Sequence, residues 1–412
     1  MVRGVRIASL VTLWLVPLLI FVSAFSSNWV TTWRTLGVPS MTPHFLDLSG
    51  LPAAIETLHQ GGDPLVANPT DPMHRTMNYP RVWLYLFSAA GITRGSVPRV
   101  ALLFCAFYLA CISFLIVQTS HAVDAVILLI AGLSVAPLLV MERGNTDMLV
   151  FSLIFLACIV TNKQLKSGLF GVAALLKIFP IAAMMMDVIR RPKKERTLAA
   201  LLTGVVLALI LLQWHDLSLI RKSTPVYRVR SYGVLSLEEE ILFDTLQWGF
   251  LIGLGWIVVL ECWLAGALAI VNAWRHPSEL DTSIQKSRFA EMFAVFGGTY
   301  VFTYAIGSNF DYRLILLLPT LPLVLEMTRS SRYRAWAIVY LALVGLAENS
   351  IGFEQSGGII AGHAATFALF IMLLGMLTRV LMVSLNAPDG FLQMLRRPSP
   401  AVHAAQSLHS LE

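Results

Sequence analysis

Long apolar runs, separated by short polar segments, dominate the chain from end to end. The first covers residues 7–25, close to the roughly 20 apolar residues that cross the hydrocarbon core of a bilayer. Further runs cover residues 81–93, 97–118, 122–141, 147–161, 167–189, 197–214, 248–274, 290–307, 313–328, 334–347 and 357–384. The pattern predicts an all-α fold, a polytopic transmembrane helical bundle. We expect one membrane domain over residues 1–385 and a cytoplasmic tail over residues 386–412.

The composition supports a membrane location. Hydrophobic residues make up 57% of the 412 residues and charged residues only 13%, whereas a soluble chain carries roughly a quarter charged residues. The net charge of +6 comes from basic residues in short runs between apolar segments, without interleaved aromatics, so we expect no nucleic-acid partner. The cysteines lie inside apolar runs, and no metal-ligand spacing or nucleotide-binding glycine motif is present. We therefore predict no metal and no cofactor.

Basic residues indicate the orientation of the chain. Arg3 and Arg6 precede the first run, which is either a cleaved signal peptide or an uncleaved first helix with its N-terminus inside; its length favours the helix. The polar segment 26–80 then lies outside the inner membrane, and its length suggests a functional role. We expect the later basic clusters to mark the cytoplasm, namely Arg94 and Arg99, Lys163 and Lys166, residues 190–196, 275–288 and 329–334, and Arg396 and Arg397.

Two of these clusters conflict with a simple count of crossings. Lys163 and Arg190 cannot both be cytoplasmic if residues 167–189 cross the membrane once. The conflict disappears if this stretch is two half-length helices that break near Pro180, because proline removes a backbone donor. Residues 176–180 would then form a tip dipping toward the outer face, where a broken helix is tolerated if it lines protein or a water-filled cavity.

The first outer segment holds the strongest candidate for chemistry. Apolar positions spaced by three and four predict an amphipathic helix over residues 47–60, lying along the membrane, with Asp47 at its start and Gly61-Gly62 at its end. A carboxylate at the membrane edge can accept a proton from a hydroxyl group, although an aspartate at a helix start more often caps the helix. Asp63, in a Gly-Asp-Pro turn, is a candidate for substrate binding or simply for the turn.

Residues 142–147 form a polar turn between two apolar runs. A helix break at Pro137 would place this turn outside, whereas simple alternation of crossings places it inside. Arg143 and Asn145 are candidates for binding a sugar or a phosphate there, because a guanidinium group suits bidentate contact with phosphate. The alternative is structural, with the acidic and basic side chains of the turn pairing among themselves.

Two further groups place polar side chains on the same outer side. Asn78, Tyr79 and Arg81 open the second apolar run, where a donor phosphate would arrive but where aromatic and basic residues also serve as membrane anchors. Lys177 lies among apolar neighbours at the predicted helix break. A charge there is costly unless it is paired or hydrated, so it is a functional candidate, and the alternative is a lysine that snorkels to the interface.

Asp311 and Arg313 complete the set, in a short outer turn where an interfacial salt bridge is the structural alternative. No single one of these signals is specific. Their shared position is informative, because one carboxylate with several cations on one face suits an anionic lipid donor and a hydroxyl acceptor.

The order of these features resembles the GT-C superfamily of membrane glycosyltransferases, and within it glycosyltransferase family 87. The resemblance covers about residues 1–330. Its motifs are, in chain order, Asp47, Gly62-Asp63-Pro64, Asn78-Tyr79-Pro80, Arg143-Gly144-Asn145, Gly171, Lys177 and Pro180. The chain departs from the family pattern at Leu51, in a region where the family often has a tyrosine, at Arg81, where the family has a second proline, and at Glu142-Arg143-Gly144-Asn145, which replaces a glutamine-containing form.

The resemblance implies a bundle of the GT-C type whose active site faces the extracytoplasmic side of the inner membrane. It implies that Asp47 is the catalytic base and that the donor phosphate lies near Lys177. A hexose, with mannose as the family's type, would pass with inversion from a polyprenyl-phosphate donor to a lipid or glycan acceptor. Substrate-binding roles are then expected for Asp63, Asn78, Tyr79, Arg81, Arg143, Asn145, Lys177, Asp311 and Arg313. The alternatives are a transporter or flippase for a lipid-linked saccharide and a membrane-embedded ligase or scaffold.

Overall fold

The computed structural model describes residues 2–224, 226, 230–237, 287–352 and 356–386, with scattered positions between 264 and 286. Within these ranges the chain is mostly helical, and the two-residue strands β1 (Ser231–Tyr232) and β2 (Asn309–Phe310) pair antiparallel. The predicted all-α bundle is therefore confirmed. Most of the apolar run 248–274 and the predicted tail beyond Asn386 lie outside the described residues.

The helices follow most of the predicted runs closely. In chain order they are α1 (Val2–Ser26), α2 (Trp29–Thr35), α3 (Leu46–His59), α4 (Val82–Ala89), α5 (Val97–Gln118), α6 (Ala122–Gly132), α7 (Val135–Arg143), α8 (Asp147–Ile159), α9 (Lys163–Leu176), α10 (Ile181–Arg190), α11 (Lys193–Leu211), α12 (Trp214–Ser223), α13 (Ala290–Ile306), α14 (Leu321–Met327), α15 (Arg334–Asn349) and α16 (Ser356–Asn386). Short 3-10 helices cover Arg94–Ser96, Asp311–Thr320 and Ser350–Gly352.

Several of the described helices are long and apolar enough to cross a membrane. Four qualify by length and composition, namely α1, Arg94–Gln118, Arg334–Gly352 and Gly358–Leu381. The pairs α6–α7, bent by 45°, and α11–α12, bent by 68°, raise the number to 6 if each pair is one span. Outward apolar side chains of α1 are exposed, with Leu18 at 58% and Val22 at 57%, as expected for a surface that lipid covers. The protein is a multi-pass helical membrane protein.

Helices α9 and α10 form the broken pair that the basic clusters predict. α9 ends at Leu176, and α10 begins at Ile181 directly after a proline. Arg191, just beyond α10, donates from Nη2 to the backbone oxygen of Lys163 at the start of α9, at 3.1 Å. The start of α9 and the end of α10 therefore meet at one end of the bundle, and residues 177–180 form a tip at the other end.

A second break separates α6 from α7, and it lies slightly before the position predicted at Pro137. α6 ends at Gly132 and α7 begins at Val135, so Pro137 lies in the first turn of α7, where its missing N–H costs no helical hydrogen bond. The bend of 45° keeps the two helices running in one general direction. The turn 142–147 lies at the same bundle end as the tip, because Asp147 pairs there with Lys177.

The run 81–93 does not cross the membrane, which corrects the predicted position of Arg94. α4 has 8 residues and extends about 12 Å, far less than the roughly 30 Å of the hydrocarbon core. Arg94 pairs with Glu56 of α3 at 2.6 Å, whereas the opposite end of α5 meets Arg288 through Gln118. The prediction that Arg94 lies with the other basic clusters is therefore wrong.

Helix α3 forms where the apolar spacing predicts it, and most of its side chains are packed inside the protein. It covers Leu46–His59 and ends before Gly61, whose φ of +83° is the left-handed conformation that glycine favours. The face expected to be polar carries small residues, including Ser49, Ala53 and Thr57, and all of these are buried. Small side chains on that face let the neighbouring helices approach, so α3 contacts α4, α5 and α7.

Candidate active site

Four segments that are distant in the sequence meet at one end of the bundle. They are the first turn of α3, the α7–α8 turn, the tip between α9 and α10, and the segment that follows β2. Gly144 permits this meeting, because it closes α7 with a φ of +59° and because a Cβ atom there would lie 2.9 Å from Cβ of Phe45. A larger residue at this position would push the α7–α8 turn away from the start of α3.

Asn145 joins the carboxylate of α3 to the lysine of the tip. Its Nδ2 donates to Oδ2 of Asp47 at 2.7 Å, and its Oδ1 accepts from Nζ of Lys177 at 3.3 Å. The same Oδ1 also accepts from the backbone N–H of Asp147 at 2.9 Å. Because the side chain of Asn145 is fully buried and its donor and acceptor ends are both engaged, the amide has one orientation.

Asp147 lies at the centre of the cluster and pairs with two cations. One carboxylate oxygen, Oδ1, is 2.6 Å from Nζ of Lys177, and Oδ2 is 3.2 Å from Nε of Arg313. Each cation also faces an aromatic ring, since Nζ of Lys177 and Cζ of Arg313 both lie 4.9 Å from a ring centroid, of Tyr79 and Phe179 respectively. Two positive side chains therefore share one buried negative charge.

Asp47 lies at the more accessible end of this network. Its side chain is 16% exposed, compared with 1% for Asp147 and 9% for Lys177. Its Oδ2 is held by Asn145, and its Oδ1 is 3.3 Å from Nη1 of Arg75. Asp47 does not cap α3: Phe45 occupies the cap position and makes no side-chain cap hydrogen bond. The carboxylate is thus directed into the cluster and stays partly accessible.

Tyr79 forms one wall of the cluster, beside Lys177. Its side chain is half-buried, and burial together with the negative charges of Asp47 and Asp147 raises the pKa of its hydroxyl. The hydroxyl is therefore a hydrogen-bond donor at physiological pH. Asn78, the preceding residue, is also half-buried and belongs to the same segment.

Arg81 and Asp63 are close to each other but belong to a separate network. Arg81 donates from Nη2 to Oδ2 of Asp63 and from Nε to Oδ2 of Asp216, both at 2.8 Å. Asp63 also closes its own turn, because Oδ1 accepts from the backbone N–H of Leu65 at 3.0 Å. The structure therefore ties the first outer segment to α12 through Arg81, and brings neither Arg81 nor Asp63 to Asp47.

Arg143 faces away from the cluster. Its Nε is 3.0 Å from Oε2 of Glu142, and its Nη2 donates to the backbone oxygen of Pro39 at 3.3 Å. Oε1 of Glu142 accepts from the Trp29 indole at 3.0 Å and from the Ser40 hydroxyl at 2.7 Å. These contacts attach the start of the first outer segment to α7. The pairing of Arg143 with Glu142 is the structural alternative to a substrate-binding role for Arg143.

Asp311 and Arg313 also separate, although only one residue lies between them. Arg313 reaches Asp147 and also donates to Oδ1 of Asn309. Asp311 instead lies beside the β1–β2 ribbon, where its backbone N–H donates to the oxygen of Arg230 at 3.1 Å. Burial raises the pKa of Asp311 to about 7, against the opposing effect of the positive Arg230.

Two residues of the cluster, Asp71 and Arg75, were not predicted from the sequence, and the central position of a third, Asp147, was not predicted either. Asp71 and Arg75 lie in the first outer segment, and their spacing of four residues with opposite charge was the available signal. Asp147 was considered only as a partner within its own turn. Its two partners come from α9–α10 and from the segment after β2, which local sequence does not indicate.

No family model matches the chain, and no curated protein and no solved structure matches it. The class of protein therefore follows from the fold and the site alone. It is a multi-pass helical membrane protein with a partly buried ion-pair network at one end of the bundle. Among the residues that the structure describes, no group of three or more His, Cys, Asp or Glu side chains is arranged to hold a metal ion.

Proposed function

We propose that this protein is a membrane glycosyltransferase of the GT-C type. It transfers a hexose from a polyprenyl-phosphate donor to a lipid or glycan acceptor, with Asp47 as the catalytic base. The observation that carries this proposal is the continuous polar connection from the accessible Asp47, through Asn145, to the two cations on Asp147. A base and an anion-binding group are thus held a short distance apart by one rigid amide, and the order of motifs that resembles glycosyltransferase family 87 agrees with these roles.

The reaction that fits this arrangement is a direct displacement. Asp47 accepts the proton of the acceptor hydroxyl, and the acceptor oxygen forms a bond to the anomeric carbon of the sugar. The bond from that carbon to the phosphate oxygen breaks, and polyprenyl phosphate leaves with the electron pair, so the anomeric configuration is inverted. Lys177 and Arg313 stabilise the negative charge that develops on the leaving phosphate, an effect that is strong where water is excluded.

The distribution of basic residues favours an extracytoplasmic site in the inner membrane. The bundle end opposite Asp47 carries Lys163, Lys166, Arg191, Arg288 and Arg329. Basic residues in short connections favour the cytoplasmic side of a membrane protein. Asp47 would then face the side on which lipid-linked sugars are used to build the cell envelope.

A transporter or flippase for a lipid-linked saccharide is the rival proposal, because broken helices with charged tips also occur in transporters. The rival is supported by the re-entrant α9–α10 pair. It gives no reason, however, for a carboxylate that is partly exposed and fixed through both of its oxygens. A requirement for Asp47 in bond formation, and not only in lipid movement, separates the two proposals.

The test is sugar transfer in proteoliposomes, with radiolabelled polyprenyl-phosphate-mannose and an acceptor extract. Asp47→Asn should abolish transfer and leave donor binding intact. Glu56→Gln is the matched control, because Glu56 is a carboxylate on the same helix that pairs with the exposed Arg94. Transfer at the wild-type rate by Asp47→Asn would remove Asp47 from the chemistry. Labelled lipid that changes leaflet without transfer in the wild type would favour the transporter.

A further inference from the structure

Arg75 reaches Asp47 from a position that a third residue fixes. Nη1 of Arg75 lies 3.3 Å from Oδ1 of Asp47, while Nε and Nη2 both donate to the carboxylate of Asp71 at 3.1 Å. Nη2 also donates to the backbone oxygen of Leu46 at 2.8 Å. Asp71 is buried, and it further accepts from the backbone N–H groups of Met73 and Arg75. One edge of the guanidinium is therefore anchored, and its remaining nitrogen is directed at Asp47.

Gly50 provides the space for this arrangement. A Cβ atom at Gly50 would lie 3.1 Å from Oδ2 of Asp71 and 3.5 Å from Nη2 of Arg75. Oδ2 of Asp71 is one of the atoms that hold Arg75, so a side chain at this position of α3 would displace the acid–arginine pair. The first turns of α3 thus pack closely against the segment 71–75, around the charged side chains of Asp47, Asp71 and Arg75.

We infer that Arg75 is a positioning residue for Asp47 and that Asp71 orients Arg75 for this purpose. The inference rests on the proposed role of Asp47 as the base. A carboxylate has about four lone-pair directions, and Arg75 and Asn145 each occupy one, on opposite oxygens. The plane of the carboxylate is then fixed, and the remaining lone pairs are directed at the place where an acceptor hydroxyl binds.

This role requires the shape of arginine as well as its charge. The planar guanidinium places Nε and Nη2 on Asp71 while Nη1 reaches Asp47, whereas the ammonium of lysine is a point charge on a flexible chain. Lysine at position 75 would therefore keep a positive charge near Asp47 but would lose the fixed direction. Charge and geometry can thus be tested separately at this one position.

The other charged and titratable groups that face Asp47 come from four different segments. Lys177 belongs to the α9–α10 tip, Asp147 to the start of α8, Tyr79 to the segment before α4, and Tyr312 to the segment after β2. None of these four groups is substituted when Arg75 is changed, whereas Asp71, which contacts Asp47 only through Arg75, loses its partner.

The experiment measures kcat and KM for the donor in proteoliposomes, for wild type, Arg75→Gln, Arg75→Lys and Arg94→Gln. Arg75→Gln should lower kcat by at least about tenfold, with little change in KM, because general-base catalysis depends on alignment. Arg75→Lys should show the same loss of kcat, because lysine keeps the positive charge near Asp47 but not the fixed direction. Arg94→Gln, which removes an exposed arginine paired with the same helix, should behave as the wild type.

A wild-type kcat in Arg75→Gln would overturn the inference, while an inactive Asp47→Asn would still support the proposed base. An active Asp47→Asn would instead remove the base and the inference together. If Arg75→Gln does not fold, Gly50→Ala serves in its place, since it keeps both charges and displaces the pair. A lower kcat with unchanged donor KM in Gly50→Ala supports the positioning role, and a wild-type kcat contradicts it.

Discussion

Two ion-pair networks at the same end of the bundle use the same side-chain types in opposite proportions. In the Asp147 network, one buried carboxylate faces two cations, Lys177 and Arg313. In the Arg81 network, one half-buried cation faces two carboxylates, Asp63 and Asp216. The direct ion pairs of the first network thus join two cations to one carboxylate, and those of the second join two carboxylates to one cation.

The difference shows that the role of a charged side chain depends on how many partners it has. Lys177 shares its carboxylate with another cation, so an arriving phosphate can be bound without leaving any acid unpaired. Arg81 already holds two carboxylates, and their negative charges oppose an anion. Both residues looked like phosphate ligands in the sequence, but only the surroundings of Lys177 suit that role.

The largest expected effect comes from removing the single acid of the Asp147 network. Asp147→Asn leaves two cations unpaired around a position that is 1% exposed, so we expect a destabilisation of about 3–5 kcal/mol. Asp216→Asn is the matched change, because Arg81 keeps Asp63, and it should cost about 1 kcal/mol or less. Thermal unfolding of both variants in detergent gives the comparison. Equal decreases in unfolding temperature for the two variants would mean that the two acids contribute equally to stability, and would contradict the comparison.

A smaller effect is expected when one cation is removed from each network. Lys177→Met should lower kcat for sugar transfer by about a hundredfold, because a preorganised cation no longer stabilises the leaving phosphate. Arg81→Met should change kcat by less than about threefold, since the ion pair between Arg81 and Asp63 is partly exposed and lies away from Asp47. Transfer assays in proteoliposomes measure both variants. A similar loss in both would contradict the distinction between the networks.

The smallest expected effect is the pH dependence of the Arg81 network. The hydrogen bond from Arg81 lowers the pKa of Asp63 below its ordinary value of 3.8. The pair therefore stabilises the folded state above that value, and this contribution is lost as the pH falls through the lower pKa of the folded state. It is small because Asp63 is 39% exposed. Below about pH 4 the unfolding temperature of the wild type should fall more steeply than that of Asp63→Asn, and parallel curves would disprove the linkage.

The elements that were predictable from the sequence are those fixed by local signals. The break between α9 and α10 followed from two basic clusters that could not both be cytoplasmic around one crossing, together with Pro180. The run 81–93 was wrongly taken as a crossing because hydrophobicity alone does not distinguish a short membrane span from a short helix packed on protein. The position of Arg94 was wrong for the same reason, since it depended on that crossing.

The candidate site was predictable as a set of residues but not as a geometry. Arg143 and Asn145 flank Gly144 and looked equivalent in the sequence. The positive φ of Gly144 turns the chain between them, so Arg143 faces Pro39 while Asn145 faces Asp47. Arg75 was missed because its contact with Asp47 depends on tertiary packing around Gly50, for which a single sequence has no periodic signal.

The pairing of Asp147 with Lys177 has a consequence for how the protein is made. These two residues flank the hairpin of α8 and α9, and they lie at the same end of it, 2.6 Å apart. Charges within a membrane segment are costly to insert, and the chain emerges from the ribosome in order. The hairpin can thus enter the bilayer with its two charges already neutralised. Arg313 is synthesised much later and reaches the same carboxylate from the segment after β2, so it adds a second cation to a pair that α8 and α9 can form on their own.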